Sequence, residues 1–292
     1  MCAPVAIFIF NRPDLTACVL AEIRHARPMH LLIVADGPRH DRVGEAERCE
    51  ATRRLVLAGI DWPCKVETNF SELNLGCKRR VSSGLDWVFS KCEEAIILED
   101  DCLPHPSLFT FFQEMLARFR DDRRVMMITG TNPLGAWKAP RQSYHFSYCG
   151  SIWGWASWAR AWASYDVDMK LWEDPEHQQR VRDVFAEPEL YAGRVASYDA
   201  VHRGTVDTWD MQWSFARVIQ SGLSVVPAVN LVSNIGFGAE ATHTRRDVAG
   251  VGALKTCGLT LPLRHNGVVS VDREYDRQFT RKLNGKPLTA AA

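Results

Sequence analysis

Several familiar devices are missing from this chain of 292 residues. It has no apolar run of spanning length, and the opening stretch VAIFIF (5–10) is too short for a signal-peptide core and is read as a strand. The nine cysteines form no CxxC pair and are odd in number, which argues against a zinc ribbon and against a disulfide framework and makes a reducing cytoplasm the expected compartment. Charge of one sign is not in excess: Lys plus Arg and Asp plus Glu are each 35, so no global field recruits nucleic acid or an anionic membrane. A glycine-rich phosphate cradle is also missing. GxGxxG does not follow the first apolar run and GxxxxGK[ST] occurs nowhere, which excludes dinucleotide dehydrogenases and P-loop NTPases as good readings.

What is present is an alternation. Apolar runs VAIFIF (5–10), LLIVA (31–35), CKVETNF (64–70) and AIIL (95–98) are separated by helical patterns, one of them carrying Val81, Leu85, Val88 and Phe89. Buried strands separated by amphipathic helices predict an α/β fold with a mainly parallel central sheet covered on both faces. A further helix is expected from about residue 107, burying Leu108, Phe111, Phe112, Met115, Leu116 and Phe119 at three-four spacing. MMITG (126–130) and YHFSY (144–148) read as strands, and no linker or repeat divides the chain. One domain is expected, with a nucleotide-binding half (1–103), an acceptor and catalytic half (104–250) and a C-terminal extension (251–292).

In such sheets ligands sit beyond the carboxyl ends of the strands, where this sequence places charge. Glu99, Asp100 and Asp101 follow the fourth strand. By strand alternation Glu99 and Asp101 share one side while Asp100 takes the other. Adjacent carboxylates of this kind suit a hard cation that completes its shell with water and phosphate oxygens; the alternative is a solvated turn capping the next helix. After the first strand stands Arg12, which could clamp a phosphate or stack on a base. After the second stands Asp36, which could accept from a ribose hydroxyl or a uracil N–H. Both also fit ordinary turn chemistry. Lys78, Arg79 and Arg80 open the next helix, a setting for a diphosphate or for a solvated basic face.

Together, FNRPDL, VADG, NLGCKRRVSSGLDWVF and ILEDDCLPHPSLFTFF resemble the GT-A glycosyltransferases, in particular bacterial family-two-like sugar transferases and the N-acetylglucosaminyltransferase I family. The resemblance implies a GT-A fold, a nucleotide-sugar donor, most simply a UDP-sugar, and Mn2+ or Mg2+ held on the diphosphate through Asp101. It places Arg12 and Asp36 at the nucleoside, counts Asp100 with the donor-binding acids, and adds Lys78 and Arg79 by position more than by identity.

The second half extends the resemblance. YCGSIWGWASWARAW (148–162) sets Trp155, Trp158 and Trp162 at helical three-four spacing, a core stripe, while Gly150 and Trp153 resemble a loop that cradles the donor sugar and diphosphate. In VDTWDMQWSFARVIQSG (206–222), Asp207 is the expected helix N-cap and Asp210 resembles the general base that deprotonates the acceptor hydroxyl. Glu240 and His243, in SNIGFGAEATHT, are candidates for the diphosphate or the metal when that loop closes.

The expectation is a cytoplasmic, metal-dependent, inverting glycosyltransferase. Its acceptor would be a carbohydrate or lipid-linked saccharide of bacterial surface polysaccharide or lipopolysaccharide synthesis, with peripheral membrane association and no nucleic-acid partner. The alternatives are a sugar-phosphate nucleotidyltransferase, which would want a glycine- and arginine-bearing loop after the first strand, and a non-catalytic carbohydrate binder on the same fold.

Overall fold

The computed structural model of the protein describes residues 3–185, 187–237 and 252–286. Its first part is a run of strand–helix units: β1 (Val5–Ile9), α1 (Pro13–Ala26), β2 (His30–Ala35), α2 (Glu45–Ala58), β3 (Lys65–Phe70), α3 (Gly76–Lys91) and β4 (Glu94–Glu99). Every residue of β1 is buried, because β1 lies between β2 and β4, parallel to both, with helices on each face. Proline at the first position of α1 costs no hydrogen bond, since the N–H of that position has no partner in any helix.

The chain continues through β5 (Cys102–Pro104), α4 (Ser107–Phe119), β6 (Val125–Thr129), β7 (Tyr144–Ser147), β8 (Trp155–Trp158) and α5 (Ala159–Trp162). A 3-10 turn (Lys170–Glu173) leads into α6 (Pro175–Val184), α7 (Pro188–His202), α8 (Asp210–Ile219), β9 (Leu223–Pro227), β10 (Val232–Asn234) and α9 (Arg273–Leu283). Eight strands form one sheet in the order β3-β2-β1-β4-β8-β6-β9-β7, and β10 pairs with β5 in a separate ribbon. The fold is therefore α/β with a mixed, mainly parallel sheet, as the alternation predicts; β8 and β7 run antiparallel to their neighbours.

The two faces of the sheet bury different cores. On one, α1 and α4 pack Val19, Ile23, Phe111, Phe112 and Met115 against Ile7, Ile96 and Leu98. On the other, Leu85, Val88, Trp209 and Trp213 meet Phe8, Ile97 and Trp155. The expected tryptophan stripe is not helical. Trp155 and Trp158 lie on β8, which inserts between β4 and β6, and strand alternation sends them to opposite faces. Only Trp162 begins from a helix, and its ring stacks on Tyr165 at 4.1 Å.

A third cluster joins α6, α7, α8 and α9 through Val181, Leu190, Tyr198, Phe215, Tyr275 and Phe279. The described part of the expected C-terminal extension is consequently not an appendage. α9 buries Tyr275 and Phe279, its Asp276 accepts from Ser147 Oγ, and Asp272 accepts from Trp137 Nε1 at 2.9 Å. Among the described residues no helix is long and apolar enough to cross a membrane.

Candidate active site

Parallel register brings the carboxyl ends of β1, β2 and β4 to one edge: Ile9 pairs with Ala35, and Phe8 with Glu99. Arg12, Asp36 and the three acids emerge there. Arg12 Nη1 donates to Asp101 Oδ2 at 2.9 Å, its Nε donates to Asp100 Oδ2 at 3.4 Å and its Nη2 closes on Asp100 Oδ1. Burial opposes the charge of Arg12, but the two carboxylates outweigh it and raise the guanidinium above its ordinary value. Asp100 is buried and takes a further hydrogen bond from the Phe10 N–H at 3.3 Å. Arg12 is thus the counter-charge of this acidic turn, its fork shared between Asp100 and Asp101.

Glu99 is the acid that sequence reasoning did not select. It is in register with Phe8 on the face of the tryptophan cluster, and its Oε1 is buried without a hydrogen-bond partner among the described residues. Burial pushes its carboxyl up to about 8, with Asp101 and Asp100 adding and Arg12 opposing; Asp210 is close enough to add as well. The signal was available in the sequence, since alternation already put Glu99 and Asp101 on a common side.

Asp36 is fully engaged by its own chain. Oδ1 accepts from the N–H of Gly37 and of Leu75, each at 2.9 Å, while Oδ2 accepts from Asn74 Nδ2 at 3.0 Å and the Gly76 N–H at 3.2 Å. That uses all the lone-pair directions of a carboxylate and fixes the turn that starts α3. Arg80 is likewise spent, donating to Asn69 O and Oδ1, both at 2.8 Å. Lys78 is half-buried and Arg79 exposed on the first turn of α3, and neither makes an ion pair or side-chain hydrogen bond among the described residues.

The β5–β10 ribbon lays the chain of residues 232–237 over the acids. Asn234 pairs with Cys102, and the Ile235 N–H donates to Asp101 O at 2.8 Å. A β-carbon on Gly236 would stand 2.2 Å from Asp101 Oδ2, so only glycine permits this approach. Beside it, Trp153 and Phe237 meet edge to face at 5.6 Å. Gly150 serves packing: a β-carbon there would lie 2.6 Å from Ser224 Oγ, which belongs to the sheet. Glu240 and His243 lie outside the described residues.

Asp210 opens α8 half-buried and accepts from Thr208 Oγ1. The helix has no side-chain cap; Trp209 holds the cap position, and Asp207 is exposed, its Oδ2 3.2 Å from where a β-carbon on Gly76 would sit. The N-cap role expected for Asp207 is therefore not realised. Among the described residues no three His, Cys, Asp or Glu side chains group as a metal cage. The acids do fit a hard cation that relies on phosphate and water for most of its shell: the donors are carboxylate oxygens, and one of them, on Glu99, is buried and unpaired.

Comparison of the sequence with protein-family models and with curated proteins finds no match. Among solved structures, an active-site mutant of LgtC aligns over 99% of this chain and 97% of its own, at 11% identity and a TM-score of 0.41. UDP-glucose pyrophosphorylase complexed with UDP-glucose aligns over 50% of this chain, at 9% identity and a TM-score of 0.28, and the alignment spans 63% of that enzyme's length. A mannose-1-phosphate geranyltransferase from Thermus thermophilus aligns over 80% of this chain and 76% of its own, at 9% identity and a TM-score of 0.39.

Proposed function

We propose that this protein is an inverting, divalent-metal-dependent glycosyltransferase of GT-A type. It moves a sugar from a nucleoside diphosphate, most simply a UDP-sugar, to a hydroxyl of a carbohydrate or lipid-linked saccharide in surface polysaccharide or lipopolysaccharide synthesis. The cytoplasm is the compartment where such donors are held, and a lipid-linked acceptor would bring peripheral contact with the membrane.

The observation that carries the reading is electrostatic. Asp101, Asp100 and Asp210 each lie within electrostatic range of Glu99 and, with burial, push its carboxyl up against the opposing Arg12, while Glu99 Oε1 has no hydrogen-bond partner among the described residues, so the site favours added positive charge. Asp101 and Glu99 would hold Mn2+ or Mg2+, which would supply positive charge to offset that of the diphosphate leaving group. The remaining work belongs to the chain. Arg12 holds Asp100 and Asp101 in place, Lys78 and Arg79 offer cations to the diphosphate at the start of α3, and Trp153 with Phe237 forms an apolar wall suited to a sugar ring. Asp210 accepts the proton of the acceptor hydroxyl as that oxygen attacks the anomeric carbon, and one such displacement inverts the centre.

A nucleotidyltransferase gains no support from the β1–α1 connection, which has no glycine and whose arginine is tied to Asp100.

The test is a thermal-shift screen of nucleotide-sugars with and without manganese on the parent and on Asp101→Asn. A ligand that binds only the folded state raises the midpoint. A UDP-sugar response that needs manganese and disappears in Asp101→Asn is expected. An equal response in both proteins would make the acids a capping turn, and intact donor after prolonged incubation with acceptors would leave a binder rather than an enzyme.

A further inference from the structure

One face of α8 is polar where its neighbours are apolar. Asp210, Ser214 and Arg217 follow one another at four and three residues, so they line up along the helix. Opposite stands α7: Tyr198 Oη and Ser214 Oγ share a hydrogen bond of 2.9 Å, and Arg194 lies one turn earlier on the same helix. The far end of this seam is closed by Cys149 and by Ser224, whose Oγ accepts from Arg217 Nη1 at 2.6 Å.

The anomaly is charge. Arg217 is 3% exposed, and its Nε has no hydrogen-bond partner among the described residues. Neither Arg217 nor Arg194 forms an ion pair with a carboxylate there, and the two guanidinium groups are near enough to repel. Burial pushes Arg217 down to about 10, and Arg194 adds to the effect. Arg194 is touched by Cys149 and Tyr198, yet burial raises that thiol to about 12 and raises that phenol too, so both are neutral at physiological pH. Asp210 is within electrostatic range of Arg194 but makes no ion pair with it. Trp213 and Phe185 offer ring faces to Arg217 and Arg194 at 5.8 and 5.5 Å; the surroundings of Arg194 favour its charge overall, whereas for Arg217 the ring is weak compensation for a desolvated cation. Buried charges are normally paired, and an arginine does not escape by losing its proton.

We infer that this seam is an oxyanion site, in which Arg194 and Arg217 take a phosphate or carboxylate group carried by the acceptor substrate. Arg194 is the half-buried member of the pair and Arg217 the buried one. The assignment to the acceptor rests on the proposed role of Asp210. Arg217 is seven residues along the same helix, about 10 Å. An acceptor whose reactive hydroxyl sits at Asp210 would therefore carry its negative group roughly one sugar unit or more away. Two guanidinium forks suit a planar or tetrahedral oxyanion, with bidentate bonds that a neutral sugar cannot provide.

The test follows thermal unfolding of the full chain in inorganic phosphate, in glucuronate and in sodium chloride of matched ionic strength, with no donor present. A rise of a few degrees over chloride is expected in the parent for at least one oxyanion, lost in Arg194→Gln. Which of the two anions acts separates a phosphate from a carboxylate substrate. No rise in the parent with either anion, or the same rise in Arg194→Gln, overturns the site. Because this readout needs neither donor nor turnover, it stands or falls separately from the transferase reading. With activity in hand, Arg194→Gln should raise KM for an anionic acceptor and leave KM for its neutral counterpart near parental; an equal rise for both would remove the specificity role.

Discussion

Arg12 joins two strand ends: its Nη1 reaches Asp101 at 2.9 Å while Nε and Nη2 grip Asp100, so one side chain after β1 holds both acids after β4. Removing it leaves the buried Asp100 without its counter-charge, with the Phe10 N–H as its remaining hydrogen bond. Arg12→Met should therefore cost on the order of 3–5 kcal/mol of stability. Adding Asp100→Asn to Arg12→Met should recover part of that loss, because the uncompensated charge goes with it. Urea unfolding of the two variants decides; if the double variant is no more stable than Arg12→Met, the arginine acts through packing of its stem instead of its charge.

Asp36 gathers the N–H groups of Gly37, Leu75 and Gly76 and the amide of Asn74. Truncation to Ala strands those donors. A stability loss of about 1–3 kcal/mol is expected, with Asp36→Asn in between because its amide keeps one acceptor oxygen. The opposite pattern, parental stability with lost UDP affinity, would make Asp36 a nucleoside ligand after all.

Asp210 and Asp207 separate catalysis from helix geometry. Asp210→Asn keeps shape and can still accept from Thr208, but it cannot take a proton. Transfer should fall by roughly 100-fold or more at near-parental donor affinity. Asp207→Asn, at an exposed position that does not cap α8, should change neither. Turnover and donor affinity measured side by side, with the anomeric configuration of the product read by NMR, check both claims; full transfer by Asp210→Asn would move the base elsewhere.

His145 provides a pH-dependent prediction away from the acids. Burial lowers its pKa from 6.5 to about 3, both ring nitrogens lack partners among the described residues, and the ring lies 4.1 Å from that of Tyr275. Its folded pKa is depressed, so the unfolded chain binds a proton that the folded chain refuses. The contribution is fully present above pH 6.5 and is lost progressively as pH falls from there toward 3. His145→Leu, of similar size and without a titrating ring, should unfold less readily at pH 5 relative to pH 7 than the parent does. Denaturant midpoints at the two pH values give the answer, and an unchanged difference would place the acid sensitivity in another group.

Much of the architecture was legible because it is written in local periodicity. The buried runs of β1, β2 and β4, the three-four spacing of α4 and the strand-end position of Glu99, Asp100 and Asp101 each depend on residues within a few positions of one another. The tryptophans misled for the same reason: WASWARAW fits helical spacing, and only the slot between β4 and β6 made its first four residues a strand. Helices α6, α7 and α9 carry too few apolar residues in regular order to stand out, and they become a core only against α8 and one another.

By itself the sequence determined the α/β alternation, the edge of the sheet where the acids gather, and the chemistry those acids can support. The tertiary structure decided which of these groups remain available. Arg12 meets Asp100 from 88 residues away and Asp36 meets Leu75 from 39, contacts fixed by strand register that no short-range pattern encodes. The same holds for the orphaned oxygen of Glu99 and for Arg194 and Arg217. Whether a charge finds a partner depends on every element packed around it, so compensation is a property of the assembled fold, whereas periodicity is a property of the chain.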